Sequence, residues 1–177
     1  LIITFSLLIS FPKTQHFDVV LDPTGEFQLI IFQQSISILD VGDEIGVFDA
    51  NGVVESCDMD TLCSEPNYGE VLVGAGVWTG EQLEISAIMS IDLSDFNGPI
   101  LNGAVDGNSV VVKIWDASEE MEHTVQEVTW SSGSGHFGDM ILAASELEVV
   151  VEVEPTVAIN EFFFRAAVGT SVPDYVE

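Results

Sequence analysis

Short runs of Val, Ile and aromatic residues recur along this chain with a period of two rather than 3.6. They are "FDVVL" (17–21), "FQLIIF" (27–32), "EIGVF" (44–48), "EVLVGAGVW" (70–78), "LEISAIMSI" (83–91), "SVVVKIWDA" (109–117), "HTVQEVTW" (123–130) and "ELEVVVEV" (146–153). Period two puts successive side chains on opposite faces of an extended strand, so each run is read as a strand with at least one buried face. Between the runs stand "DPTGE", "DANG", "WTGE", "DGNS" and "SSGSG", whose Gly, Asn and Asp suit tight reversals. Spacing of this kind predicts an all-β fold, an antiparallel β-sandwich of about eight strands with immunoglobulin-like general architecture. The one helical candidate, "ASEEMEH", is short and lies between two runs. No internal repeat is present.

Charge narrows the function. The 177 residues include 30 acids and 3 bases, Lys13, Lys113 and Arg165, for a net charge of −27. Nucleic acids and anionic membranes need positive charge on their partner, so neither is expected here. Such charge is usual in disordered chains, but 47% of the residues are apolar, enough for a core.

The opening "LIITFSLLIS" is too short to span a bilayer, for which about 20 apolar residues are needed. Residues 1–15 are read as the remainder of a secretory signal peptide lacking its basic start, with a cut near Gln15; a buried first strand is the competing reading. Cys57 and Cys63 bracket the polar loop "CDMDTLC". In an exported protein two such thiols are expected to form a disulfide, and a zinc site would find only half its ligands here. Residues 16–150 would make the sandwich and 151–156, "VEVEPT", an extended linker. The 21 residues from 157 to 177 cannot bury a core alone, which suggests a fragment of a longer protein.

Two resemblances follow from particular stretches. From Phe17 to about Leu147, "GDEIGVFDANGVV", "GEVLVGAGVWTGEQL", "DGNSVVVKIWDASEEME" and "GSGHFGD" resemble a β-rich module of large secreted and surface proteins of marine bacteria. That resemblance implies an extracellular module with no catalytic residues to carry over. It also makes Ile45 to Phe48 a core strand. "VAINEFFFRAAVGTSVPDYVE" is similar to the start of a lamin-tail domain, with Ile159, Asn160, Glu161 and Asp174 to Glu177 as the matching positions. That resemblance implies other domains of the same parent chain as partners; an extracellular polysaccharide or a surface protein is the further partner expected.

Candidate chemistry is sparse. Asp49-Ala50-Asn51-Gly52 is expected to be a tight turn, with Asn-Gly at the left-handed positions. Asp40, Asp43 and Glu44 are expected on the loop before the strand, as part of a solvated acidic rim. Asp49, Asn51, Asp58 and Asp60 offer oxygens that suit calcium, but the spacing lacks the Asp-x-Asp-x-Asp-Gly-x5-Glu pattern. No pair of acids stands out as a glycosidase pair, His16, His123 and His136 are scattered, and no Gly-x-Ser-x-Gly elbow occurs. "GSGHFG" lacks the Lys and the following helix of a phosphate cradle. No catalytic residue is therefore assigned, and no cofactor apart from the calcium alternative. Tyr68, Trp78, Trp115 and Trp130 are the alternative's candidates for stacking on sugar rings, although Trp on such strands is usually core. Secretion or cell-surface display is the expected location, with a structural, adhesive or interaction role. A carbohydrate-binding module serving an attached hydrolase is the alternative.

Overall fold

The computed structural model describes residues 15–56 and 66–149. The signal remnant, Cys57 and Cys63, Asp58 and Asp60, the linker and the lamin-tail-like segment lie outside the described residues. Within them the fold is all-β. Seven strands follow in order: β1 (Phe27–Phe32), β2 (Glu44–Glu55), β3 (Asn67–Val77), β4 (Leu83–Ile88), β5 (Val110–Asp116), β6 (Met121–Ser132) and β7 (Leu142–Val149), with a 3-10 turn at Ser94–Phe96.

The strands form one mixed sheet in the order β3-β2-β5-β6-β7-β1-β4. Its two ends approach each other through glycine: a Cβ on Gly74 of β3 would lie 2.6 Å from Ile85 Cγ2 of β4. The sheet is thus nearly barrel-shaped, and sandwich-like in that its inner faces share one core. Two expectations need correction. Five neighbouring pairs are antiparallel, but β1 runs parallel to β7, Ile30 opposite Leu142. The first strand is inserted between β7 and β4, so the chain must cross over before it pairs.

The second correction concerns "FDVVL", which forms no strand, so the described residues hold seven of the about eight strands expected. Phe17 is buried, its ring edge-on to Phe48 with centroids 5.7 Å apart, while Val20 is exposed. The amides of His16 and Phe17 donate to Glu44 Oε2 at 2.7 and 3.0 Å. A carboxylate therefore satisfies the backbone that a ladder would otherwise engage.

The core lies inside the curled sheet. Ile30, Phe32, Ile45, Val47, Val73, Ile85, Val112, Ile114, Leu142 and Leu147 supply alternate positions of six strands, and Trp78 and Phe137 close it from the loops. β6 bridges the halves: its first residues pair with β5, Lys113 opposite Thr124, and its remainder pairs with β7 after bulges. "ASEEMEH" is no helix. Its first half is the β5–β6 turn and its second half opens β6, because Met121 already pairs with Asp116.

Among the described residues no helix is long and apolar enough to cross a membrane.

Candidate functional site

The stretch from Asp43 to Gly52 behaves differently from a hairpin with a charged skin. β2 runs unbroken from Glu44 to Glu55. Asp49 pairs with Val71 and Gly52 with Gly69, so Ala50 and Asn51 bulge outward where the partner strand has only Glu70 between its paired residues. The expected "DANG" reversal is therefore a β-bulge inside a strand. Gly52 is there for close approach: a Cβ would come 2.5 Å from Val71 Cγ1 and 2.8 Å from the Gly103 carbonyl oxygen. Gly46 makes similar room, since a Cβ would sit 2.7 Å from Phe48 Cε2 and 3.0 Å from the Phe17 ring.

Three acids of this stretch are buried, which overturns the solvated rim for them: Asp43, Glu44 and Asp49 are 4%, 3% and 1% exposed. Each carboxylate is held by N–H donors. Asp43 accepts from Asp40 N at 2.8 Å and Ala117 N at 3.0 Å. Glu44 binds the 16–17 amides as described. Asp49 accepts from Asn51 N (2.9 Å), Val105 N (2.8 Å) and Asn108 Nδ2, the last shared between both oxygens. A carboxylate offers about four lone-pair sites, and those of Asp49 are directed at these donors. Of the four calcium candidates, Asp49 is thus a buried tie between β2 and the loop before β5, and Asn51 is exposed on the bulge. Asp58 and Asp60 lie outside the described residues.

The four aromatic candidates are scattered. Trp78 is in the core at 2% exposure, a correction to its place among sugar-stacking residues, because its backbone N–H and C=O bond Asp43 O and Gly42 N and turn the ring inward. Trp115 is half-buried, and His16 lies flat on it, with centroids 3.8 Å apart and planes 5° from parallel. Trp130 is half-buried against the core, and a Cβ on Gly135 would collide with its indole. Of the four, only Tyr68 is exposed. On the neighbouring outer face Lys113 Nζ sits 4.4 Å from the Phe48 ring centre and 2.7 Å from Glu70 Oε1.

A further cluster escaped the sequence reading. Asp116, Glu119 and His123 place one ligand atom each within 4.8 Å of the other two. Asp116 ends β5, Glu119 is on the turn and His123 returns on β6 opposite Ile114. The three line a hollow of about 250 Å³ whose floor includes Ile38, Asp43 and Ile114. The backbone N–H of Glu119, then the Ser118 hydroxyl and amide, hold the Asp116 carboxyl below its ordinary range, and the nearby His123 acts in the same direction. The available signal was Asp-x-x-Glu-x-x-x-His within "DASEEMEH". Read as a helix, the i, i+3, i+7 spacing would also set the three on one face; in the fold it is the hairpin that folds the His back onto the Asp.

These features define an all-β fold in which three acids, Asp43, Glu44 and Asp49, and one indole, Trp78, are built into the frame. Comparison with family models, curated proteins and solved structures found no match.

Proposed function

We propose that the chain is a non-catalytic module of a multidomain secreted or cell-surface protein, with a structural, adhesive or interaction role. The observation that carries this reading is the fate of its reactive-looking groups. Asp43, Glu44 and Asp49 are taken up by backbone and amide donors, and Trp78 belongs to the core. Groups committed in this way hold loops in place; they are not free to bind substrate. The carbohydrate-binding alternative needs solvent-facing aromatics in a row, and of its four candidates only Tyr68 is exposed. Partners would be other domains of the parent chain and, outside it, an extracellular polysaccharide or surface protein, reached through loops at one end of the sheet. An exported setting also calls for a Cys57–Cys63 disulfide, for which thiol titration of the unreduced chain should find no free thiol.

The test pairs affinity electrophoresis in soluble polysaccharides with turnover assays on glycoside, ester and phosphate substrates. Migration that Tyr68→Ala leaves unchanged, with no turnover above buffer, is expected. Retardation abolished by Tyr68→Ala would move the reading to a carbohydrate-binding module, and turnover abolished by His123→Gln would make the chain an enzyme.

A further inference from the structure

We propose that Asp116, Glu119 and His123 form a binding site for one divalent transition ion of the Zn²⁺ class, a role independent of the module reading above. The donor set is mixed, one imidazole and two carboxylates, which distinguishes it from the many acids scattered over the surface. Imidazole suits Zn²⁺, Ni²⁺ and Cu²⁺, whereas Ca²⁺ and Mg²⁺ prefer an all-oxygen shell. Two carboxylates neutralise the ion's charge, and water from the open hollow completes its coordination.

The geometry is close to what such an ion needs. Bonds of about 2.1 Å put ligand atoms roughly 3.4 Å apart in a tetrahedral site. The three atoms here lie within 4.8 Å of one another, so closure takes an ångström or so of side-chain rotation, which exposed Glu119 can supply. The backbone beneath is fixed from two sides. Asp116 Oδ1 accepts from Ser118 N, Ser118 Oγ and Glu119 N at 2.7, 2.8 and 2.9 Å, locking the turn. From within the fold, buried Asp43 accepts the amide of Ala117 at 3.0 Å and pins the residue next to Asp116. Among the described residues, Asp116 Oδ2, the Glu119 carboxylate and the His123 ring have no hydrogen-bond partner, while all three groups face one hollow. Supports of this second-layer kind orient ligands and raise metal affinity.

The full chain is titrated with ZnCl₂ by calorimetry, with CaCl₂ as competitor, beside His123→Gln and Glu119→Gln. One high-affinity equivalent is expected, weakened at least about tenfold in each variant and insensitive to equimolar Ca²⁺. Ring ¹⁵N spectra should show Zn²⁺ shifting His123 and leaving His16 and His136 in place. Exposed Glu119 tolerates substitution, so that variant remains informative if His123→Gln disturbs the strand. An isotherm unchanged in Glu119→Gln, an unmoved His123 ring, or displacement by Ca²⁺ would each overturn the proposal, because each signifies diffuse attraction to a highly acidic surface.

Discussion

The amide of Asn108 donates to both carboxylate oxygens of Asp49, at 3.0 and 2.9 Å, across 59 residues of chain. The same carboxylate holds Val105 N and Asn51 N, so one buried acid fixes the bulge in β2 and the approach to β5 together. Asp49→Ala removes the carboxylate acceptor from Val105 N and Asn51 N and leaves Asn108 only the Asn51 carbonyl at 3.1 Å, and a polar group that loses its partner away from water costs about 1–3 kcal/mol. Urea unfolding should therefore show a loss of about 3 kcal/mol or more; a loss within the scatter of ordinary surface substitutions would remove Asp49 from this role.

Gly52→Ala should also destabilise the fold, although Ala is ordinarily the better strand residue. The added methyl meets the Gly103 carbonyl oxygen, which is backbone and cannot swing away. Overpacking of this kind costs about 1–3 kcal/mol. Gly107, where a Cβ meets nothing within 4 Å, provides the comparison: its positive φ of 84° makes any penalty at that position purely conformational.

Stacking of His16 on Trp115 predicts a spectroscopic effect. Removing the imidazole in His16→Ala uncovers the outer face of Trp115, and the emission difference spectrum should shift to the red. Aromatic pairs contribute about 0.5–1.5 kcal/mol beyond burial, so a modest drop in stability accompanies it. Unchanged emission would mean that residues 16–17 do not rest on β5 in solution. Trp115→Ala, which also removes packing, should cost more than His16→Ala in the same measurement.

Acid stability should depend on local acceptors. The Asp139 carboxyl is held below its ordinary value of 3.8 chiefly by the backbone N–H of Ser134, then by its hydroxyl. The Ser94 hydroxyl and amide do the same for Asp92. A lowered folded-state pKa means stability that is present above 3.8 and disappears as pH falls through the folded value. Asp139→Asn should therefore be less stable than the parent near neutral pH and equal to it well below 3.8. A difference that persists in strong acid would assign the effect to shape rather than ionisation.

With a net charge of −27, screening by salt should stabilise the fold. Melting points are expected to rise in NaCl, MgCl₂ and CaCl₂ matched for ionic strength, with calcium little or no further ahead. A calcium-specific rise of many degrees, abolished by Asp58→Ala, would establish the calcium alternative, since a ligand at a hundred times its Kd adds about 2.7 kcal/mol.

Strand identity was legible because period two and turn residues are local properties. Each apolar run from "FQLIIF" onward overlaps an observed strand, and "SVVVKIWDA" alternates, with Val112 and Ile114 buried and Lys113 and Trp115 on the other face. "FDVVL" has the same local pattern but meets a buried carboxylate, Glu44, in place of a partner strand. The site was less legible because the separation along the chain that joins Asp43 to Ala117, or Asp49 to Val105, leaves no mark on either neighbourhood.

By itself the sequence determined that this chain is all-β, where most of its strands lie, and that its surface is strongly acidic, because alternation, turn chemistry and charge act over a few residues. Only the tertiary structure decided that β1 pairs in parallel with β7, that "DANG" bulges rather than turns, and which acids leave water. Burying a carboxylate is unfavourable until several N–H donors converge on it. Where those donors come from is a property of the curled sheet and not of any one stretch.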